Sequence, residues 1–376
     1  MRRVAIRTLL HAPGSLAWAV LGVAAAATLI LTQVGLYAGF LRTCSAFVAR
    51  SGGDVWVMAR GTQVFDQGEA LAASTRAIVA GHPCVTRVRG VIADYAQVRR
   101  AGGGLLTVQV LGFEPPPPGG DLVPWSLGRG LHADLRAPDR VAIESLDVRK
   151  IGLSGDPLGA RLEIGSSTVT VAALTRGIRP FTLTPYVFAQ LPLARRLAAL
   201  DDGEATYWVL DLRDPACAPG VIARVDREPG LRARRAADFV RMTQDFWIHD
   251  SGVGAVLAFG ALLSLAIGMV IIGQALRSIT RSHLRELCTL KAIGATGPEL
   301  AGFVAWQAIF VAAAGGLMAA LLSAAIRRLL QGFGLEVVLS LPVLAAGAGA
   351  VAVMCVFASA GSLRVVLALQ PAEVLK

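Results

Sequence analysis

Four stretches of this chain carry no charged side chain and are each long enough to cross a bilayer: Leu16 to Phe40, Val253 to Leu276, Leu300 to Ile326 and Leu339 to Leu363. A helix rises about 1.5 Å per residue and the hydrocarbon core is about 30 Å thick, so each run can cross as one helix. Four such runs make an ordinary soluble fold untenable, and composition agrees. Of 376 residues, 54% are hydrophobic and only 16% charged, with a mean hydropathy of +0.59. The formal net charge of +10 would suggest nucleic acid in a soluble protein. Here several arginines crowd the ends of the apolar runs, so the lipid membrane is the expected partner and no nucleic acid is.

Charge around the runs predicts orientation. Arg2, Arg3 and Arg7 sit in a basic lead-in, residues 1–15, interleaved with Val4, Ile6, Leu9 and Leu10. Arg277, Arg281, Arg285 and Lys291 join the second span to the third, and Arg364 and Lys376 lie in the tail, residues 364–376. By the positive-inside rule both termini and the 277–299 linker are cytoplasmic, although Arg327 and Arg328, on the outer side, weaken the asymmetry. The first span is longer than the apolar region of a signal peptide, about 7 to 15 residues, which predicts an uncleaved anchor.

Between the first and second spans lies a segment large enough to fold as a domain of its own, residues 51–235, predicted to be extracytoplasmic. The first span, 16–40, is expected to extend to about residue 50 as a stalk, and the second, 236–276, to begin with one, because Phe239, Met242, Phe246 and Trp247 gather near one helical face. An interfacial aromatic belt explains the same cluster. Inside the domain, Val85 to Val98 and Leu105 to Val110 alternate as a hairpin around Gly102, Gly103 and Gly104. Arg140 to Glu144, Ala160 to Ile164, Thr168 to Leu174 and Tyr207 to Asp211 read as further strands, Leu191 to Leu200 as a helix, and Pro115 to Pro118 as a stiff loop. The expected fold class is therefore a membrane protein with four transmembrane α-helices and a large mixed α/β domain inserted between helices 1 and 2. Cys84 and Cys217 both fall in that domain, where oxidising conditions permit a disulfide, though pairing cannot be read from sequence.

The linker is the most patterned short stretch. Leu284, Leu287, Leu290 and Ile293 recur at intervals of three while Arg281, Arg285 and Glu286 fall elsewhere, which predicts an amphipathic helix. Gly294 suits a left-handed stop, and Thr296, Pro298 and Glu299 supply an N-cap, an early proline and a capping-box partner for the next helix. Such a helix either rests on headgroups or docks its apolar ridge into a groove on a cytoplasmic partner.

RELCTLKAIGAT, followed by a long apolar helix, resembles the FtsX-like permease family of ABC transporters, which includes MacB-like and DevC-like permeases. There the segment is the coupling helix that touches the ATPase subunit. The resemblance extends to Arg285, Glu286, Leu290, Lys291, Ala292, Ile293, Gly294 and Ala295; Arg281 and Leu287 complete the expected ATPase-coupling set. Cys288 and Gly297-Pro298 depart from the usual pattern. The stretch GDPLGARLEIGSSTVTVAALTRGI resembles part of MacB-like external domains, and LRVVLALQPAEVLK the family's closing segment, with Gln370 where an acidic residue is common. The resemblance implies a bacterial cytoplasmic (inner) membrane location, a homodimer, an ABC ATPase partner that binds the ATP, and, in some systems, a membrane-fusion protein and an outer-membrane channel.

The chain's own chemistry is sparse. It has no G-x-x-x-x-G-K-S/T phosphate loop, no H-E-x-x-H and no G-x-S-x-G, so neither ATP binding, metal nor nucleophilic catalysis is expected of it. Spans without an ionisable interior argue against an ion-coupled carrier. The expectation is the non-catalytic permease subunit of an ATP-driven exporter, its substrate a lipid, glycolipid, lipoprotein or peptide. The alternatives are a signal transmitter of the same family that activates a cell-wall hydrolase, and an anchored receptor without any ATPase.

Overall fold

The computed structural model describes residues 13–100, 102–114, 123–178, 184–333 and 335–368. Most of the basic lead-in, the Pro115–Pro118 loop and the end of the tail, including Gln370, lie outside them. Contacts divide the chain into a membrane unit, residues 1–40 and 253–376, and an inserted domain, residues 41–252.

In chain order, helix α1 (Pro13–Cys44) and the short α2 (Ala46–Arg50) come first, then strand β1 (Val55–Ala59), α3 (Ser74–Ala80), β2 (Val85–Arg99) and β3 (Leu105–Phe113). Strands β4 (Leu127–Arg129) and β5 (Arg140–Glu144), α4 (Val148–Ile151), β6 (Arg161–Ile164), β7 (Ser167–Thr175) and β8 (Tyr186–Gln190) follow. The domain closes with α5 (Leu191–Leu197), β9 (Tyr207–Leu212), α6 (Ala218–Val225), β10 (Leu231–Arg235) and α7 (Ala236–Asp245). Helices α8 (Val253–Ser282), α9 (Leu284–Ala292), α10 (Gly297–Gly332) and α11 (Leu341–Ala368) complete the chain.

Among the described residues, α1, α8, α10 and α11 are the four helices apolar and long enough to span a membrane. Their shared core is built from small and branched residues: Val23, Ala26 and Ile30 of α1, Ile272 and Leu276 of α8, Val311 and Ala319 of α10, and Val351 and Met354 of α11. Without a hydrophobic force between helices in lipid, close backbone approach has to supply the packing, which is why small residues gather at the contacts. Gly315 shows the effect, since a Cβ added there would come within 2.8 Å of Val23 Cγ1. Two hydroxyls inside the spans are satisfied within their own helix: Thr28 donates to the Ala24 carbonyl at 2.7 Å and Thr280 to that of Leu276 at 2.9 Å.

The inserted domain is a mixed sheet ordered β10-β1-β9-β2-β3-β8-β5-β7-β4, with β6 pairing β2 and β7. The β2–β3 hairpin forms around the triple glycine in antiparallel register from Arg99↔Leu105 to Val91↔Phe113. Parallel pairs join β3 to β8 and β5 to β7. Alternation along β1 divides the interior: Trp56 and Met58 enter an aromatic layer with Phe65, Tyr207 and Phe239, while Val55 and Val57 face Val221 and Val225 of α6. Segment 46–50 and α7 lie side by side here, with Gln244 Nε2 donating to the Leu41 carbonyl at 2.9 Å and to Ser45 Oγ at 3.1 Å. Sequence reading missed β1, β4, β8 and β10; β1 and β8 are short apolar runs without periodicity, β4 is only three residues long, and β10 is an arginine-rich edge strand.

A disulfide joins Cys84, before β2, to Cys217, before α6, across a sequence separation of 133. Closing so long a loop restricts the unfolded chain, by about 5 kcal/mol in the chain-entropy account and about 2–5 kcal/mol in practice. Cys84→Ser is expected to lower the domain's urea midpoint by an amount matching that range, and dithiothreitol to do the same to wild type only. Equal midpoints for variant and wild type in oxidising buffer would contradict this.

Asp66, between β1 and α3, is only 9% exposed and accepts a hydrogen bond from Gln109 Nε2 at 3.2 Å. Burial pushes its carboxyl from 3.8 up to about 6, against the smaller opposing effect of Gln109. Folding therefore favours the protonated form: its contribution is complete below the ordinary value and is lost as pH rises through about 6. Asp66→Asn keeps an acceptor for Gln109 and is expected to gain on the order of 3 kcal/mol over wild type at pH 8, and little at pH 4. Urea titrations at both pH values check it, and a gain that is the same at both would contradict it.

Candidate functional site

The basic linker folds as α9 with a sharp bend on either side. Helix α8 ends at Ser282, and His283 leaves helical geometry at φ −111° and ψ 19° before α9 begins. The far end is a Schellman stop: the Ala295 N–H donates to the Leu290 carbonyl at 2.9 Å and the Gly294 N–H to that of Lys291 at 3.1 Å. Gly294 takes φ +105°, the left-handed region that favours glycine. The Thr296 backbone N–H and hydroxyl both donate to the Glu299 carboxylate at 2.9 Å, opening α10 with a capping box.

These bends fold α9 back on the start of α10. Leu287 packs with Leu300 and Phe303, with Leu290 and Ala295 partly buried beside them. Leu287 and Cys288 are 1% and 2% exposed, while Ile293 is 80% exposed. The apolar ridge expected at Leu284, Leu287, Leu290 and Ile293 is thus divided. The reason is geometric: each step of three residues turns about 300°, so three steps carry Ile293 to the side of the helix opposite Leu284.

The outward face is consequently mixed in character. Arg281, Arg285, Glu286, Thr289, Ala292, Ile293 and Gly294 are exposed; Leu290, Lys291 and Ala295 are half-buried; Leu287 is buried. Of the ten residues expected to couple to an ATPase, Arg285, Glu286, Ala292 and Ile293 are exposed along α9, Arg281 is exposed at the end of α8, and Leu287 with the partly buried Leu290 fastens α9 beside Leu300 and Phe303. His283, 2% exposed, sits behind that surface with Nδ1 3.6 Å from Glu286 Oε2. No group of histidine, cysteine and carboxylate side chains suited to a metal ion occurs among the described residues.

Comparison with known proteins supplies the context. A family model described as the MacB-like periplasmic core domain matches residues 16–228, and one described as FtsX-like permease C-terminal matches residues 258–371. Among solved structures, the chain is similar to the periplasmic region of MacB from Actinobacillus actinomycetemcomitans, at 8% identity and a TM-score of 0.37, covering 51% of this chain and 93% of that one. It is also similar to the extracellular domain of the noncanonic ABC-type transporter YknZ from Gram-positive bacteria, at 8% identity and a TM-score of 0.35, covering 48% and 98%. No curated protein matches. With one family model running from the first span through most of the inserted domain, and the other covering the last three apolar helices, the chain belongs to the MacB-like and FtsX-like permeases of ABC transporters.

Proposed function

We propose that this chain is the membrane subunit of an ATP-driven ABC machine, and that the outward face of α9 is where a separate ATPase subunit engages it. The observation that carries the proposal is the contrast within α9: Leu287 fastens the helix to α10 through Leu300 and Phe303, while Ile293 and Arg285 project from the other side. A helix held by its buried face and bent at both ends moves with its neighbours instead of sliding past them. Force applied to it by closing ATPases passes into α8 and α10.

ATP is bound by the partner, and this subunit does no chemistry itself. In this reading the linker and both termini are on the cytoplasmic side of a bacterial inner membrane and the inserted domain is outside, which the basic residues Arg277, Arg281, Arg285 and Lys291 and the disulfide support. Two copies with two ATPases form the working assembly, exporting a lipid, glycolipid, lipoprotein or peptide with a membrane-fusion protein and an outer-membrane channel. The test is co-purification of the full-length chain with its candidate ABC ATPase from membranes, together with the ATPase rate of the pair. Recovery of a complex with an altered ATPase rate is the expected result. Failure of the ATPase to bind over repeated preparations would leave an anchored receptor as the better reading.

A further inference from the structure

Strand β10 alternates, and the alternation sends its two sides to different tasks. Leu231 and Ala233 are buried on the α6 side, so Arg232 and Arg234 emerge on the other. Helix α7 buries Phe239 and Thr243 and leaves Asp238, Arg241, Met242 and Asp245 along its flank. The next turn, Phe246–Asp250, widens into a π-helix, a distortion often found at functional sites. Between these elements lies an open groove of about 720 Å³, inside the usual size range of a small-molecule site.

Two of the groove's arginines are already engaged. Arg234 Nη1 pairs with Asp226 Oδ2 at 3.1 Å, and Arg241 pairs with Asp238. Among the described residues Arg232 has no carboxylate partner, and neither Asp245 nor Asp250 has a cationic one. The groove therefore offers one guanidinium, two carboxylates and, from Met242 and Phe246, an apolar wall.

We propose that this groove binds a zwitterionic phospholipid whose head group carries both a phosphate and a primary amine. The planar fork of Arg232 suits phosphate oxygens, and Asp245 or Asp250 suits the ammonium. With Arg234 and Arg241 already paired, one guanidinium faces two carboxylates, a balance that disfavours polyanions such as nucleic acid. Met242 and Phe246 receive the start of the acyl chains, the methionine adapting its shape to them. Along the chain, Asp250 precedes by three residues Val253, where the apolar helix α8 begins. Nothing in the proposal requires an ATPase on α9, so its failure and that of the coupling proposal are distinguishable.

The test titrates the full-length, delipidated chain in detergent with three probes: dihexanoylphosphatidylethanolamine, dihexanoylphosphatidylglycerol and O-phosphoethanolamine. Saturable binding of the first is expected, weakened about tenfold or more when the amine is lost in the second or the chains in the third. Arg232→Ala and Asp245→Asn are each expected to weaken it by a similar factor, with Asp250→Asn as the further variant should one of them fail to fold. Equal affinity for the phosphatidylglycerol probe, unchanged affinity in folded Arg232→Ala, or no saturable binding would overturn the proposal. Tight binding of O-phosphoethanolamine alone would also overturn it, by showing a site for a free phosphoamine and not for a lipid.

Discussion

Ile293→Asp is expected to cost this chain its ATPase while leaving its own fold intact. At 80% exposed, Ile293 contributes little packing, so placing a carboxylate there changes stability by no more than about 0.5 kcal/mol. An apolar side chain at the centre of an interface is worth about 2 kcal/mol or more when lost, and burying a charge in its place adds to that, which corresponds to a drop of at least about thirtyfold in affinity. Arg285→Glu, on the same face, should act in the same direction. Leu287→Asp is a poor probe by comparison, because Leu287 is buried against Leu300 and Phe303 and its loss would disturb α9 itself. Co-purified ATPase per membrane subunit is the quantity to measure, with thermal unfolding of the variant as the control for folding. Recovery of wild-type amounts by Ile293→Asp would remove α9 from the proposed contact.

The second large effect belongs to the inserted domain. Phe239→Ala removes a fully buried ring whose centroid lies 5.7 Å from that of Trp56 and 5.6 Å from that of Tyr207. Phe239 is the residue by which α7 grips the aromatic layer of the sheet, together with the partly buried Val240 and Met242. Truncating a buried phenylalanine costs about 3–5 kcal/mol through lost transfer energy and the cavity left behind. For a domain of this size that corresponds to a fall of about 10 °C in the midpoint of its thermal transition. Scanning fluorimetry of the full-length chain measures it. A shift below about 2 °C would mean that α7 is not anchored through this ring.

Much of the architecture could be read from the residues because its causes are local. Charge-free length fixed the four spanning helices, and the glycines before Leu105 fixed the β2–β3 hairpin. Gly294, Thr296 and Glu299 fixed the turn after α9, since each satisfies backbone groups within a few residues of itself. What stayed hidden is long-range. The parallel pairing of β3 with β8 joins segments far apart in the chain, and β10 presents three arginines against two apolar residues because it is an edge strand whose other face lines a groove.

The candidate site was half legible for a related reason. The spacing of its leucines announced a helix, but intervals of three do not hold one face of a 3.6-residue turn, so the buried and exposed members were not separable until α10 was in place. Met242 and Phe246 read as part of an aromatic and apolar helical face, but the groove's six charges, all between Arg232 and Asp250, form no motif and share one groove only when α7 folds back beside β10.

Photo-crosslinking tests the central claim most directly. A benzoylphenylalanine placed at Ile293 in membranes that contain the candidate ATPase is expected to capture it on irradiation, and one placed at Phe303, fully buried behind α9, is expected to capture none. Crosslinks to the ATPase from both positions, or from neither, would contradict the assignment of the α9 surface as the place where ATP-driven motion enters this subunit.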